Sequence, residues 1–203
     1  MAKSIIISGN LGVGKTTLLN KIGNYLDWTT VNESVIENPY LTDFYSNKKD
    51  WSFHLQVYFL AFRSQQYLDI EHSLKPVIMD RSIHDDVNVF LPVLYELGNI
   101  TQRDYETILQ VYDVIRKTIP FPDLMVYLKA PANVIMQRIQ KRGLVFDYQN
   151  ISVDYISLID SYYEKWINQC TLCPILKFDT NEYNFTDDTE CLKLISDQII
   201  KKL

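Results

Sequence analysis

Residues 9–16 read GNLGVGKT and match G-x-x-x-x-G-K-[ST] at every fixed position. In such a loop the backbone N–H groups of Gly9, Asn10, Leu11, Gly12, Val13 and Gly14 can wrap a polyphosphate, because glycine keeps side chains out of the approach. Lys15 would add a point charge at the β- and γ-phosphates, Thr16 offers a hydroxyl to Mg²⁺, and Thr17 begins the helix behind them. The loop also has the context it requires, with the apolar run Ile5 to Ile7 before it and an apolar-periodic helix after it. A glycine-rich turn with an incidental lysine is the alternative, and it would need neither neighbour. Magnesium on phosphates commonly takes one carboxylate from a nearby strand end, and Asp80 closes the strand-like run PVIMD. That aspartate could instead cap the helix that follows.

Kinases, GTPases, motors and ATPases all use such a loop, so the acceptor has to be read from other residues. Glu33 follows Asn32 at the carboxyl end of a second strand, on the side where the loop opens. An alcohol attacks only as its proton is taken, so a carboxylate beside the γ-phosphate suits an alcohol acceptor and would repel a phosphate one. A solvated loop glutamate is the plain alternative. In segment 51–73, Gln56 and Arg63 are seven residues apart and share a helical face, among Tyr58, Phe59, Leu60 and Phe62. Such a pair can hydrogen-bond the edge of a base beneath aromatic cover, or can be core packing with two snorkelling polar heads. Arg81 follows Asp80 directly, where it can orient Glu33 or steady charge on a transferring phosphoryl group. Asp86 and Phe90, four apart, can meet the same ligand. Arg138 and Arg142, also four apart, suit either a solvated helix end or a lid that clamps a triphosphate.

These groups must be held by regular elements, and the chain supplies them in alternation. Short apolar runs predict strands near 4–8, 28–32, 76–79, 124–129 and 174–178, and periodicity predicts helices near 15–26, 51–73, 83–97, 102–117, 131–142, 153–169 and 188–202. Thr101 before Asp104 and Ser152 before the helix at 153 read as caps, Pro131 suits a first helical turn, and Gly143 suits a stop. The pattern implies an α/β fold of the P-loop NTPase class, with a parallel five-stranded sheet flanked by helices and ligands beyond the strands' carboxyl ends. The expected organisation is one kinase domain over 1–203 with a short lid at about 138–152.

Bulk properties narrow the partners. The 203 residues carry a formal charge of -5 and a pI near 5.2, which argues against nucleic acid as a partner. No stretch is long and apolar enough for a membrane span, and the three cysteines Cys170, Cys173 and Cys191 are an odd set, so the cytoplasm is the expected compartment. The CxxC spacing of Cys170 and Cys173 has no second pair to complete a zinc site.

Together, GNLGVGKT, Glu33, FYSNKKDWSFHLQ, Arg63, DRS and R-x-x-x-R-G make the chain resemble the deoxynucleoside kinase family, which includes deoxycytidine, deoxyguanosine and bacterial deoxyadenosine kinases. The resemblance implies ATP with Mg²⁺ as donor, Glu33 as general base with Arg81 as its partner, and Gln56, Arg63, Asp86 and Phe90 around the base. It further implies that Tyr45 and Asp147 meet the sugar 3′-hydroxyl and that residues 178–185 approach the donor adenine. Two departures stand in the lid, Leu144 where the family commonly has arginine and Asp147 where it commonly has glutamate. The resemblance also implies a homodimer and a preference for purine deoxynucleosides. A nucleoside monophosphate kinase such as thymidylate kinase is the rival enzyme, and a non-catalytic nucleotide-binding subunit is the rival of another class.

Overall fold

The computed structural model describes residues 2–32, 38–142 and 151–203, and of Arg142 only the backbone. Strands β1 (Ser4–Gly9), β2 (Thr29–Val31), β3 (Val77–Asp80), β4 (Leu124–Lys129) and β5 (Ile175–Asp179) form one sheet in the order β2-β3-β1-β4-β5. All four pairings are parallel, with Ile7 opposite both Asp80 and Val126. Because parallel neighbours need crossovers that cover both faces, the central strands read as unbroken apolar runs. Ile5, Ile6 and Ile7 are fully buried, each contributing on the order of 2 kcal/mol of transfer free energy.

The alternation along β4 separates two layers. Leu124, Val126 and Leu128 join Ile5 and Ile7 against helix α1 (Lys15–Leu26) and the last helix, while Met125 and Tyr127 face Ile159, Tyr163 and Trp166. Between β2 and β3 run α2 (Leu41–Ser46) and the long α3 (Lys48–Ile70). After β3 come α4 (Ile83–Asp85), a π-helical turn (Asp86–Phe90), α5 (Leu91–Glu96) and α6 (Gln102–Ile115). The remaining helices are α7 (Ala132–Arg142), α8 (Val153–Gln169) and α9 (Thr189–Lys202).

The expected strands and long helices are present, and Thr101 and Ser152 accept from Asp104 and Tyr155 backbone N–H groups as caps should. Three differences are physical. Helix α3 begins at Lys48, because the Asn47 side chain accepts from the Asp50 N–H and caps it earlier than the apolar pattern suggests. The short α2 is too brief to show periodicity. The expected helix 83–97 contains the π turn, in which the Leu91 N–H bonds Asp86 O, five residues back. Gly143 lies outside the described residues.

Candidate active site

The phosphate loop leaves β1 at its carboxyl end, and its shape depends on glycine at two positions where a side chain has no room. Gly9 has φ 146° and a Cβ there would strike the Leu128 carbonyl; Gly12 has φ 67° and sits beneath Ile139. Gly14 starts α1, and no side chain among the described residues caps that helix, so its first N–H groups suit an anion. Lys15 is buried and donates to the Asn10 carbonyl at 2.7 Å. The Asn10 amide is itself pinned to α8, donating to Ile156 O at 2.9 Å and to Asp160 Oδ1 at 2.6 Å. Burial pushes the Asp160 carboxyl up to about 6, the Asn10 bond opposes that rise, and the neighbouring Glu164 adds to it.

Register brings Asp80, the last residue of β3, beside the start of α1. Thr16 Oγ1 donates to Asp80 Oδ2 at 2.7 Å, while Asp80 Oδ1 is buried and has no hydrogen-bond partner among the described residues. The Thr16 hydroxyl and the Asp80 carboxylate, one of whose oxygens has no hydrogen-bond partner among the described residues, are hard oxygen donors that suit Mg²⁺. No cluster of three or more His, Cys, Asp or Glu side chains suited to a metal occurs among the described residues.

On the other side of Asp80 lies a cluster of buried polar side chains. Arg63 Nε donates to Asp86 Oδ2 at 2.7 Å and Arg63 Nη1 donates to the Asp80 carbonyl at 3.0 Å, with both side chains of the ion pair under 5% exposed. Gln56, one helical face along, is buried and its Oε1 has no partner among the described residues. Phe59 lies under the Arg63 guanidinium at 5.4 Å, and Phe90 lies under that of Arg81 at 4.7 Å. Arg81 has φ 65°, a left-handed conformation that costs a non-glycine residue on the order of 1 kcal/mol. Its N–H bonds Ile7 O at 3.0 Å. Tyr45 is half-buried on α2, edge-on to Phe44.

The structure thus gathers Gly9 to Thr17, Asp80, Arg81, Gln56, Arg63, Asp86 and Phe90 at one end of the sheet. Glu33 and Asp147 lie outside the described residues, as do the lid residues 143–150 and the Arg142 side chain. Arg138 Nη1 donates to Thr180 Oγ1 at 2.6 Å and to Val13 O at 3.3 Å, and its Nη2 to Thr180 O at 2.9 Å. Arg138 therefore ties the phosphate loop to the segment after β5. Beside it opens a cleft of about 530 Å³, lined among others by Gly12, Thr17, Thr180, Tyr183 and Phe185.

Sequence reasoning did not find Asp85, Asp160, Tyr155 or Tyr163. Tyr163 Oη donates to Asp85 Oδ1 at 3.0 Å, and Asp85 Oδ2 accepts from both Ser82 N and Ser82 Oγ. Tyr155 is pushed up to about 12 by burial, with the Arg81 charge pulling the other way, and Lys48 Nζ sits 4.7 Å from its ring. On α8, positions 156, 160 and 163 recur at helical spacing; the signal was there, but such a stripe ordinarily means core.

A family model described as deoxynucleoside kinase matches residues 5–203. The deoxyadenosine/deoxycytidine kinase of Bacillus subtilis is 34% identical over 197 residues, covering 96% of this chain and 90% of its own. The deoxyguanosine kinase of the same organism is 34% identical over 172 residues, covering 83% and 80%. Among solved structures, deoxyadenosine kinase from M. mycoides with bound dATP superposes with a TM-score of 0.85 at 29% identity, over 97% of this chain and 99% of that one. With the loop, the strand-end aspartate and the match running through almost the whole sequence, the chain belongs to the deoxynucleoside kinase family.

Proposed function

We propose that the protein transfers the γ-phosphoryl group of ATP to the 5′-hydroxyl of a deoxynucleoside, with deoxyadenosine or deoxyguanosine as preferred acceptors. The observation that carries this reading is the double use of Asp80. Its side chain meets Thr16 of the phosphate loop and its carbonyl meets Arg63 of the buried polar cluster, so one residue joins the two groups. The purine preference is supported by relatives named deoxyadenosine kinase and deoxyguanosine kinase, beside one named for both deoxyadenosine and deoxycytidine.

The loop N–H groups and Lys15 hold the triphosphate, and Thr16 and Asp80 hold Mg²⁺. When bound, that ion would supply charge neutralisation for the transferring phosphate. Glu33 accepts the 5′-hydroxyl proton as the O5′–phosphorus bond forms and the bond to the β-phosphate oxygen breaks, releasing ADP. Arg81 stabilises charge on the transferring group. The Gln56 oxygen, which has no partner among the described residues, accepts from an exocyclic amine of the base, with Arg63, Asp86 and Phe90 completing its enclosure and Tyr45 and Asp147 at the 3′-hydroxyl. Arg138 and Arg142 act on the donor side, and the cleft at Thr180 and Phe185 takes the donor adenine. The whole chain works as one domain, residues 138–152 act as its lid, and the enzyme serves cytoplasmic nucleotide salvage as a homodimer.

A monophosphate acceptor fits less well, since the Arg63 guanidinium is already neutralised by Asp86. Incubation with ATP, Mg²⁺ and each of four deoxynucleosides or thymidine monophosphate decides the matter. Turnover of free deoxynucleosides, purines first, is expected, and turnover of the monophosphate alone defeats the reading. Glu33→Ala should lower kcat by roughly 10²-fold while leaving ATP affinity near its original value.

A further inference from the structure

The phosphate loop is tied down from outside itself. Asn10, its second residue, is 1% exposed, and its carboxamide nitrogen donates to Ile156 O at 2.9 Å and to Asp160 Oδ1 at 2.6 Å, both on α8. Ile156 and Asp160 are four residues apart and so lie one turn apart on a single helical face. A carbonyl and an ionised carboxylate only accept, so the two amide protons must point at α8 and the amide oxygen back into the loop. There Asn10 Oδ1 accepts from the Leu11 N–H at 2.7 Å, and the Asn10 backbone carbonyl accepts from Lys15 Nζ at 2.7 Å. The place of the Asn10 backbone, and with it the seat of the Lys15 ammonium, is thereby set by a carboxylate 150 residues further along the chain.

Helix α8 does not need Asp160 in order to dock. Its packing is carried by Ile156, Ile159, Tyr163, Trp166 and Ile167, all buried in the two core layers. Asp160 instead burdens the fold: partial burial and the Glu164 charge one turn on raise its carboxyl to about 6, against the pull of the Asn10 bond. A carboxylate that costs the helix something, and whose bond goes to the phosphate loop, is placed for the loop rather than for the helix.

From this geometry we infer that Asp160 is a positioning residue for the phosphoryl donor: through the Asn10 carboxamide it holds the loop backbone and Lys15 in the shape that receives ATP. The inference rests on the proposed reading only in taking ATP as the ligand of the loop. Asp160 acts through Asn10, not by contact with ATP or the acceptor.

The test measures ATP affinity in the presence of Mg²⁺ by titration calorimetry, at about pH 8, where Asp160 is ionised and only accepts. Asp160→Ala should weaken ATP binding roughly 10-fold and leave deoxynucleoside affinity within about twofold. Asp160→Asn, whose amide oxygen still accepts from Asn10, should bind ATP within about twofold of the unaltered protein. In an Asn10→Ala background, Asp160→Ala should cost nothing further. A role confined to stability would weaken both ligands alike or neither. Should the alanine variant not fold cooperatively, Asp160→Leu, which keeps bulk without the oxygens, takes its place with the same expectation. Original ATP affinity in the alanine or leucine variant, an equal loss in Asp160→Asn, an equal loss toward the deoxynucleoside, or additive losses with Asn10→Ala overturns the inference. If the expected pattern appears in a protein that transfers nothing to any deoxynucleoside, the inference stands and the functional reading fails; an unaltered protein that does not bind ATP defeats both.

Discussion

Arg63 and Asp86 illustrate how a buried charge is tolerated only by its partner. Removing the arginine alone leaves a carboxylate almost without solvent, at a cost of about 3–5 kcal/mol. Arg63→Ala should therefore lower the melting temperature by roughly 10 °C, read by thermal denaturation, and Arg63→Met with Asp86→Leu should regain most of it. His84 is a second buried group with a cost. Burial, helped by the Arg116 charge, pushes its imidazole down to about 4 from an ordinary 6.5, and its Nδ1 pairs with the Tyr112 hydroxyl at 2.8 Å. Between those two pH values the unfolded chain takes up a proton that the folded one refuses, so this residue removes stability as pH falls through that window. Urea midpoints measured from pH 7 to 4.5 should fall less steeply for His84→Asn, whose amide can still meet Tyr112, than for the unaltered protein. Equal slopes would mean that His84 titrates as freely in the fold as outside it.

Helix α8 touches the surroundings of the site at several positions. From one face Ile156 and Asp160 hold Asn10 of the phosphate loop, Tyr163 meets Asp85, and Glu164 accepts from Tyr127. It starts at Val153, just after the residues proposed as the lid. Because the Asp160 carboxyl is raised to about 6, the folded state keeps a proton between about 4 and 6 that the unfolded state has lost. Its contribution therefore favours folding at low pH and disappears as pH rises through 6, opposite in slope to that of His84. Asp160→Asn should abolish that slope and leave the urea midpoint at pH 7 equal to or above the original, since an amide still accepts from Asn10 without carrying charge. A lower midpoint at pH 7 would show that the ionised form is needed. The π turn is the other element that shapes the site: its wider winding sets Asp86 toward Arg63 while Phe90 stays beneath Arg81.

At the scale of the whole molecule, α6 buries only Ile108 fully, yet its sequence carries Val111 and Val114 on the surface at 41% and 65% exposure. That face is where the proposed homodimer would form, because an exposed apolar stripe gains from a partner. Val114→Glu should shift the protein from dimer to monomer in sedimentation equilibrium, and an unaltered protein that is already monomeric would refute the arrangement. The sheet order decides which loops meet: β1 lies between β3 and β4, so the phosphate loop opens beside Asp80 on one flank and the β4 end on the other. By itself the sequence determined the α/β alternation, the phosphate loop and the pairing of Gln56 with Arg63 on one face, since each follows from local spacing. The helical stripe at 156, 160 and 163 was equally visible but indistinguishable from ordinary core. Only the tertiary structure decided that Asp80 meets both Thr16 and Arg63 and that Tyr163 reaches Asp85 from seventy-eight residues further along the chain. The physical reason is that a hydrogen bond depends on angstrom-scale approach between distant segments, which strand register and helix packing set and residue spacing does not encode.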